Sequence, residues 1–195
     1  MRSQGTIHCK VWEFKRQLDK REVKFALIDT PGLEDTSSGN LRVLQEITSQ
    51  LGNLQGRVVS GAIYFHRITD KRMTGTGRAN FDIFKAICGE AFFPRTVIAT
   101  TMWNHIQPQK VPAYRELQKE LQTTHMHLPG GGDAVFELPG NEEAILRHFV
   151  RLKALSRPQL LLEVEANQTG RRGVRKTRAG KEILKKSNDG FCAIL

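Results

Sequence analysis

The sequence predicts an α/β protein built on a mostly parallel sheet with one antiparallel strand at an edge. Two continuous apolar runs, "RVVSGAIYFH" (57–66) and "RTVIATTMW" (95–103), have the length and β-branched content of strands buried on both faces. Segments with apolar residues at helical spacing alternate with them, and such alternation implies parallel strands joined by crossovers. Near the start, a charged segment "KRQLDKR" (15–21) separates two more strand-like runs and reads as a hairpin turn.

In chain order, "TIHCKVWEF" (6–14) alternates and is rich in β-branched and aromatic residues, so it is expected as the first strand; "REVKFALID" (21–29) is the second. Apolar residues at 41, 43, 44, 47, 51 and 54 mark a helix. After the strand at 57–66, "GRANFDIFKAICG" (77–89) reads as a helix closed by Gly89. Beyond the strand at 95–103, "VPAYRELQKELQ" (111–122) is a helix and "AVFELP" (134–139) a short strand. A last helix, "NEEAILRHFVRLKAL" (141–155), has Asn141 as its expected cap and two acids in its first turn. Residues 1–155 thus form one domain. Residues 156–195 turn polar and basic and are expected to be a flexible tail with a little helix near Leu160–Val164.

Composition narrows the class. The net charge of +10 is concentrated at the end: residues 166–195 hold eight Lys/Arg against Glu182 and Asp189. A basic tail admits a membrane, a nucleic acid or an acidic protein as partner. Nucleic acid is disfavoured because no DNA- or RNA-binding fold signature accompanies the charge. No apolar run is long enough to span a bilayer and the first residues lack a signal-peptide core, so a cytoplasmic protein is expected. Cysteines at 9, 88 and 192 form no C-x-x-C pair and read as free thiols, with Cys88 in the core. His125 and His127 lack a companion ligand cluster and read as surface residues. Trp12 and Trp103 are expected to pack rather than to stack on bases.

Chemistry is expected where strands end, because ligands in such sheets bind beyond the carboxyl ends of the strands. Asp29 closes the second strand and is followed by Thr30, Pro31 and Gly32. A carboxylate there can hold Mg²⁺, usually through a water, and a glycine lets its backbone N–H approach a phosphate closely. The plain alternative is a strand-ending Asp before a Pro-Gly turn. The segment after His66-Arg67 and the segment Thr101-Met102-Trp103-Asn104 end two further strands. In guanine-binding domains the latter place carries Asn or Thr, two spacers and an Asp that accepts two N–H groups of guanine. Asn104 can accept one such bond, but its NH₂ would meet a donor, so guanine selectivity should fall.

Taken together, "LIDTPGLEDT", "GAIYFHRITDKRMTGT" and "VIATTMW" resemble the septin-like and immunity-associated (IMAP/AIG) GTPases of the translation-factor-related class, and above all the G-domain proteins numerous in filamentous fungi. Their box "HRITD-x-R-M-S-G" is matched by His66–Gly75, with Thr74 in place of Ser. The resemblance covers about residues 3–155. It implies a P-loop NTPase-like three-layer sandwich that binds GTP or GDP with Mg²⁺. Asp29 would be the metal residue. Asp29, Thr30 and Gly32 would act in hydrolysis, and Asp29, Pro31, Gly32, Thr101 and Asn104 would bind the nucleotide. G-domain dimerisation is a further implied property.

Two departures qualify what the resemblance implies. No G-x-x-x-x-G-K-[ST] phosphate loop occurs, and with it the first, central strand of the sheet is missing. Ser3-Gln4 would be the remnant of the switch segment. Either the chain is expected to be truncated at its N-terminus, or it is a catalytically inactive pseudo-GTPase that serves for interaction or membrane docking. Asn104 in place of Asp is the second departure. Finally, "CAIL" at the end fits a C-a-a-X prenylation box on Cys192, with Lys185, Lys186 and the earlier Arg cluster as an electrostatic second anchor for membrane association. A chance cysteine in a basic tail is the alternative.

Overall fold

The computed structural model describes residues 8–33, 37–54, 58–70, 75–129, 134–152 and 158–188. They form an α/β protein with a two-stranded antiparallel sheet and a three-stranded parallel one. The chain divides into two compact units. The first joins 1–56 to 165–195, and the second is the contiguous stretch 57–164.

In the first unit, β1 (Lys10–Leu18) and β2 (Arg21–Asp29) pair in full register from Lys10 opposite Asp29 to Leu18 opposite Arg21. The turn is only Asp19-Lys20, both at positive φ (48° and 63°), the geometry whose twist matches that of a hairpin. β1 therefore starts four residues later than the alternation suggested and runs through most of the charged segment. One face of the ribbon carries Trp12, Phe14, Phe25 and Leu27, with Phe14 and Phe25 stacked at 5.5 Å. Trp12, expected to pack, is instead 57% exposed, and its cross-strand neighbour Leu27 is 45% exposed.

The expected placement of this hairpin as the edge of the parallel sheet is not what forms: among the described residues the ribbon is a sheet of its own.

Helix α1 (Ser37–Gly52) buries Leu41, Leu44, Thr48 and Leu51, one face at helical spacing. Against it pack a 3₁₀ turn at Arg171–Lys176 and α6 (Arg178–Asn188), which follow α5 (Leu161–Thr169). The tail expected to be flexible is thus largely helical from 161 to 188. Val174, Ala179 and Ile183 are buried there, enough apolar surface at one face to anchor an otherwise basic segment. The start of α6 is capped: the buried Thr177 hydroxyl accepts the Gly180 N–H at 3.1 Å and donates to the Val174 carbonyl at 2.6 Å. The Arg178 N–H finds the Glu165 carboxylate at 2.7 Å. Gly180 is required sterically, since a Cβ there would lie 2.1 Å from the Val174 carbonyl oxygen.

The second unit is organised on β3 (Ala62–Arg67), β4 (Thr96–Thr101) and β5 (Ala134–Glu137), all parallel in the order β3-β4-β5. Side chains alternate between two covered faces. On one, Ile63, Val97, Ala99 and Phe136 pack with Ile145 and Phe149 of α4 (Glu142–Arg151). On the other, Tyr64 meets Phe81 and Phe84 of α2 (Gly75–Cys88), and Ile98 and Thr100 adjoin Gln118 and Leu121 of α3 (Val111–Thr124). Burial lifts the Tyr64 phenol to about 12. Cys88 is a buried core thiol, as expected, and its pKa is raised by desolvation. Arg95 is buried too, donating to the carbonyls of Ser60 (3.1 Å) and Leu152 (2.8 Å) and so tying the approach to β3 to the end of α4. Asn141 precedes α4 but makes no side-chain cap; its amide donates back to the Glu137 carbonyl at 2.8 Å, while Glu142 accepts the Gly140 N–H.

Candidate functional site

The parallel strands deliver two of the expected segments to one end of the sheet. Register places His66 beside Thr100 and Arg67 beside Thr101. The Ile68 N–H donates to the Thr101 carbonyl at 3.0 Å, and the Thr101 hydroxyl donates to the His66 carbonyl at 3.4 Å. Beyond β3, Ile68 is fully buried while Arg67 folds onto Asp70 at 3.1 Å, so the described start of the "HRITD" segment is a pinned turn. Lys71–Thr74, the rest of that box, lie outside the described residues.

The loop after β4 is held by a residue that pattern reading did not single out. Thr100, 2% exposed, is a hub: its hydroxyl accepts the Trp103 indole N–H at 3.0 Å and the Gln118 amide N–H at 3.0 Å. It donates to the Phe136 carbonyl at 3.2 Å, so the loop, α3 and β5 meet on one oxygen. Between Thr101 and Trp103, Met102 takes a left-handed conformation (φ 67°), uncommon for such a side chain, and the chain continues in a 3₁₀ turn at Trp103–His105. The result is an exposed Asn104 on a loop whose neighbouring indole is fixed from below. Trp103 is a positioning residue, in line with the expectation that it packs. The only sequence signal for the hub was a Thr ending a strand three residues before a Trp.

His66 points into the sheet–α3 layer. Its Nε2 is buried with no hydrogen-bond partner, and burial lowers its pKa against the opposing pull of Asp70. The cavity beside it, lined by Thr100, Gln118, Leu121 and Met126 among others, measures about 10 Å³, room for one water and far below a nucleotide. His125 is less superficial than its sequence context suggested: its Nδ1 is buried without a partner. No group of three metal-ligating side chains occurs among the described residues.

The other half of the expected site lies in the first unit. Asp29 ends β2, half-buried, opposite Lys10. Pro31 is buried while Thr30 and Gly32 are exposed. Among the described residues, its chain neighbours aside, nothing lies within 4 Å of where a Cβ on Gly32 would stand. Close by, Cys9 is pushed up to about 11 by burial and by the negative charges of Glu46 and Asp29. A strand-end carboxylate is the kind of group that could hold Mg²⁺, which takes one or two protein carboxylates and fills its octahedron with water and phosphate oxygens. Cys192, the expected lipidation residue, lies outside the described residues, as do Ser3 and Gln4.

Comparison with models of known protein families gives no match, and no curated protein matches the chain.

Proposed function

We propose that the chain carries the magnesium-and-switch corner and the base-recognition loop of a guanine-nucleotide-binding protein with a P-loop NTPase-like fold. The carrying observation is the Thr100 hub, which joins the strand-end loop to α3 and β5 through three hydrogen bonds and leaves Asn104 exposed on that loop. Asp29 would hold Mg²⁺ and the Gly32 N–H would meet the terminal phosphate, a role consistent with a glycine that packing among the described residues does not require. In the first unit, Mg²⁺ held by Asp29 would neutralise phosphate charge beside Thr30; in the second, Thr101 and Asn104 would meet a base. Hydrolysis belongs to a form with a phosphate loop, since that loop supplies most of the phosphate-binding N–H groups.

Titration of the chain with a fluorescent GTP analogue tests this. Binding in the micromolar range is expected, weakened about tenfold by Asp29→Ala or by chelating Mg²⁺. Asn104→Asp should tighten guanine over adenine about tenfold, since a carboxylate accepts both guanine N–H groups. Equal affinity for GTP and ATP analogues in the parent and in Asn104→Asp would sink the base-loop assignment.

A second reading, a non-catalytic membrane-docking module, is favoured by the outward side of the C-terminal helix. Arg178, Lys181 and Lys185 are exposed there, as are Arg175 and Lys176 in the 3₁₀ turn before it, while Ala179 and Ile183 of α6 are buried inside the first unit. Co-sedimentation with phosphatidylserine vesicles tests it. Lys181→Glu with Lys185→Glu should lower binding at least about tenfold, and binding insensitive to both substitutions and to salt would refute it.

A further inference from the structure

Among the described residues β1 has β2 as its one strand neighbour, so its other edge pairs with no described strand, and seven of its nine residues are exposed. Such an edge recruits another strand unless something blunts it. Residues Lys10–Leu18 contain no proline or bulge, and carry the exposed Val11 (42%) and Trp12 (57%). We propose that this edge is a homodimer interface, in which β1 pairs antiparallel with β1 of a second copy about a two-fold axis at Phe14.

The choice of occupant follows from register. Outward-facing backbone groups alternate along a strand, so an edge can pair with its own copy only about a residue position. An axis at Glu13 would set Glu13 against itself and Lys10 against Arg16, and an axis at Lys15 or Arg16 would set that cation against its own copy. At Trp12 only residues 10–14 overlap. At Phe14 the whole strand overlaps. Glu13 then faces Lys15 twice, Trp12 faces Arg16 twice, and Phe14 meets its own copy. The first is an opposite-charge cross-strand pair and the second places a guanidinium beside an indole. Phe14 already stacks on Phe25 across the hairpin, and Arg16 already lies over Phe14 at 5.5 Å. The dimer therefore extends an existing aromatic row into Phe25-Phe14-Phe14-Phe25 over four strands. Lys15, paired with Glu22 at 2.8 Å, would sit between two carboxylates.

The same exercise on β2 is poorer. Pairing about Phe25 sets Glu22 against Ile28 and leaves its one ion pair, Arg21 with Asp29, at the strand ends. A two-stranded ribbon is marginal alone in water, whereas four strands with one apolar face are not.

Sedimentation equilibrium of the purified chain should show a dimer. Glu13→Lys converts two opposite-charge pairs per dimer into like-charge pairs and should weaken dimerisation about tenfold or more. Adding Lys15→Glu together with Glu22→Lys, which keeps the hairpin's own ion pair, restores complementarity with the signs exchanged and should return most of the affinity. In a background with Cys9 and Cys192 replaced by Ser, Phe14→Cys should cross-link under mild oxidation, because directly paired Cα atoms lie within disulfide reach. Phe25→Cys should not. A parent chain that is monomeric up to about 100 µM overturns the proposal. So does a dimer indifferent to Glu13→Lys, failure of the charge exchange to rescue, or cross-linking through Phe25→Cys alone.

Discussion

Thr100→Val isolates what the hub at the end of β4 does. The change keeps the side-chain shape and removes the oxygen that joins Trp103, Gln118 and Phe136. Each lost hydrogen bond is worth about 0.5–1.5 kcal/mol net, giving about 1.5–4.5 kcal/mol for the three. Trp103 and Gln118 are half-buried, so water can replace part of what they lose, and about 2 kcal/mol is the expected cost. For a chain of this size that is about 4–8 °C in Tm. Urea denaturation followed by Trp103 fluorescence in a Trp12→Phe background measures both the stability loss and the freeing of the indole. Thr101→Val is the control: its hydroxyl makes one long bond of 3.4 Å, and its removal should cost under about 1 kcal/mol. Equal effects from the two substitutions, or an unchanged indole environment in Thr100→Val, would refute the hub.

Gly180→Ala should destabilise the docking of α6 by about 2–3 kcal/mol, because its methyl meets the Val174 carbonyl; limited proteolysis between 165 and 188 should accelerate. His66 and His148 both have pKa values lowered by burial, so the native state resists protons that the unfolded chain accepts. Their contribution is present above the unfolded value of 6.5 and is lost as pH falls through the lowered folded values; in His66→Gln the decline of stability from neutral pH into that acid range should be shallower by urea midpoints. Cys9, held at about 11, should alkylate with iodoacetamide about a hundredfold more slowly at pH 8 than a thiol titrating near 9, and Glu46→Gln should speed it.

How far the sequence carried this structure depended on where the deciding interactions lie. Strand β4 was legible because burial on both faces leaves an uninterrupted apolar run, β3 because Ala62–Phe65 are continuously apolar although Phe65 is exposed, and α2 and α3 because their apolar period is local. The end of β1 was not, since exposed Lys15, Arg16 and Gln17 make a ribbon strand look like a turn. Composition misled at the tail: eight cations mask the few buried side chains, Val174, Ala179 and Ile183, and the Thr177 cap that hold α6. Sheet membership was out of reach for a different reason. Alternation says that β2 is a strand, not which strand it pairs with. At the site, the positions of Thr101 and Asn104 at a strand end were readable from order alone. The Thr100 hub was not, because Gln118 and Phe136 approach it from 18 and 36 residues away.

The first unit is discontinuous in sequence, and that has a consequence for synthesis. Residues 57–164 form a contiguous unit that can fold as soon as it leaves the ribosome, whereas α1 waits until α6 has emerged more than a hundred residues later. During that interval the buried face of α1, with Leu41, Leu44 and Leu51, stands without its late partners. A chain stalled between residues 56 and 165 is therefore expected to expose the apolar face of α1 to chaperones while the contiguous unit is already being completed.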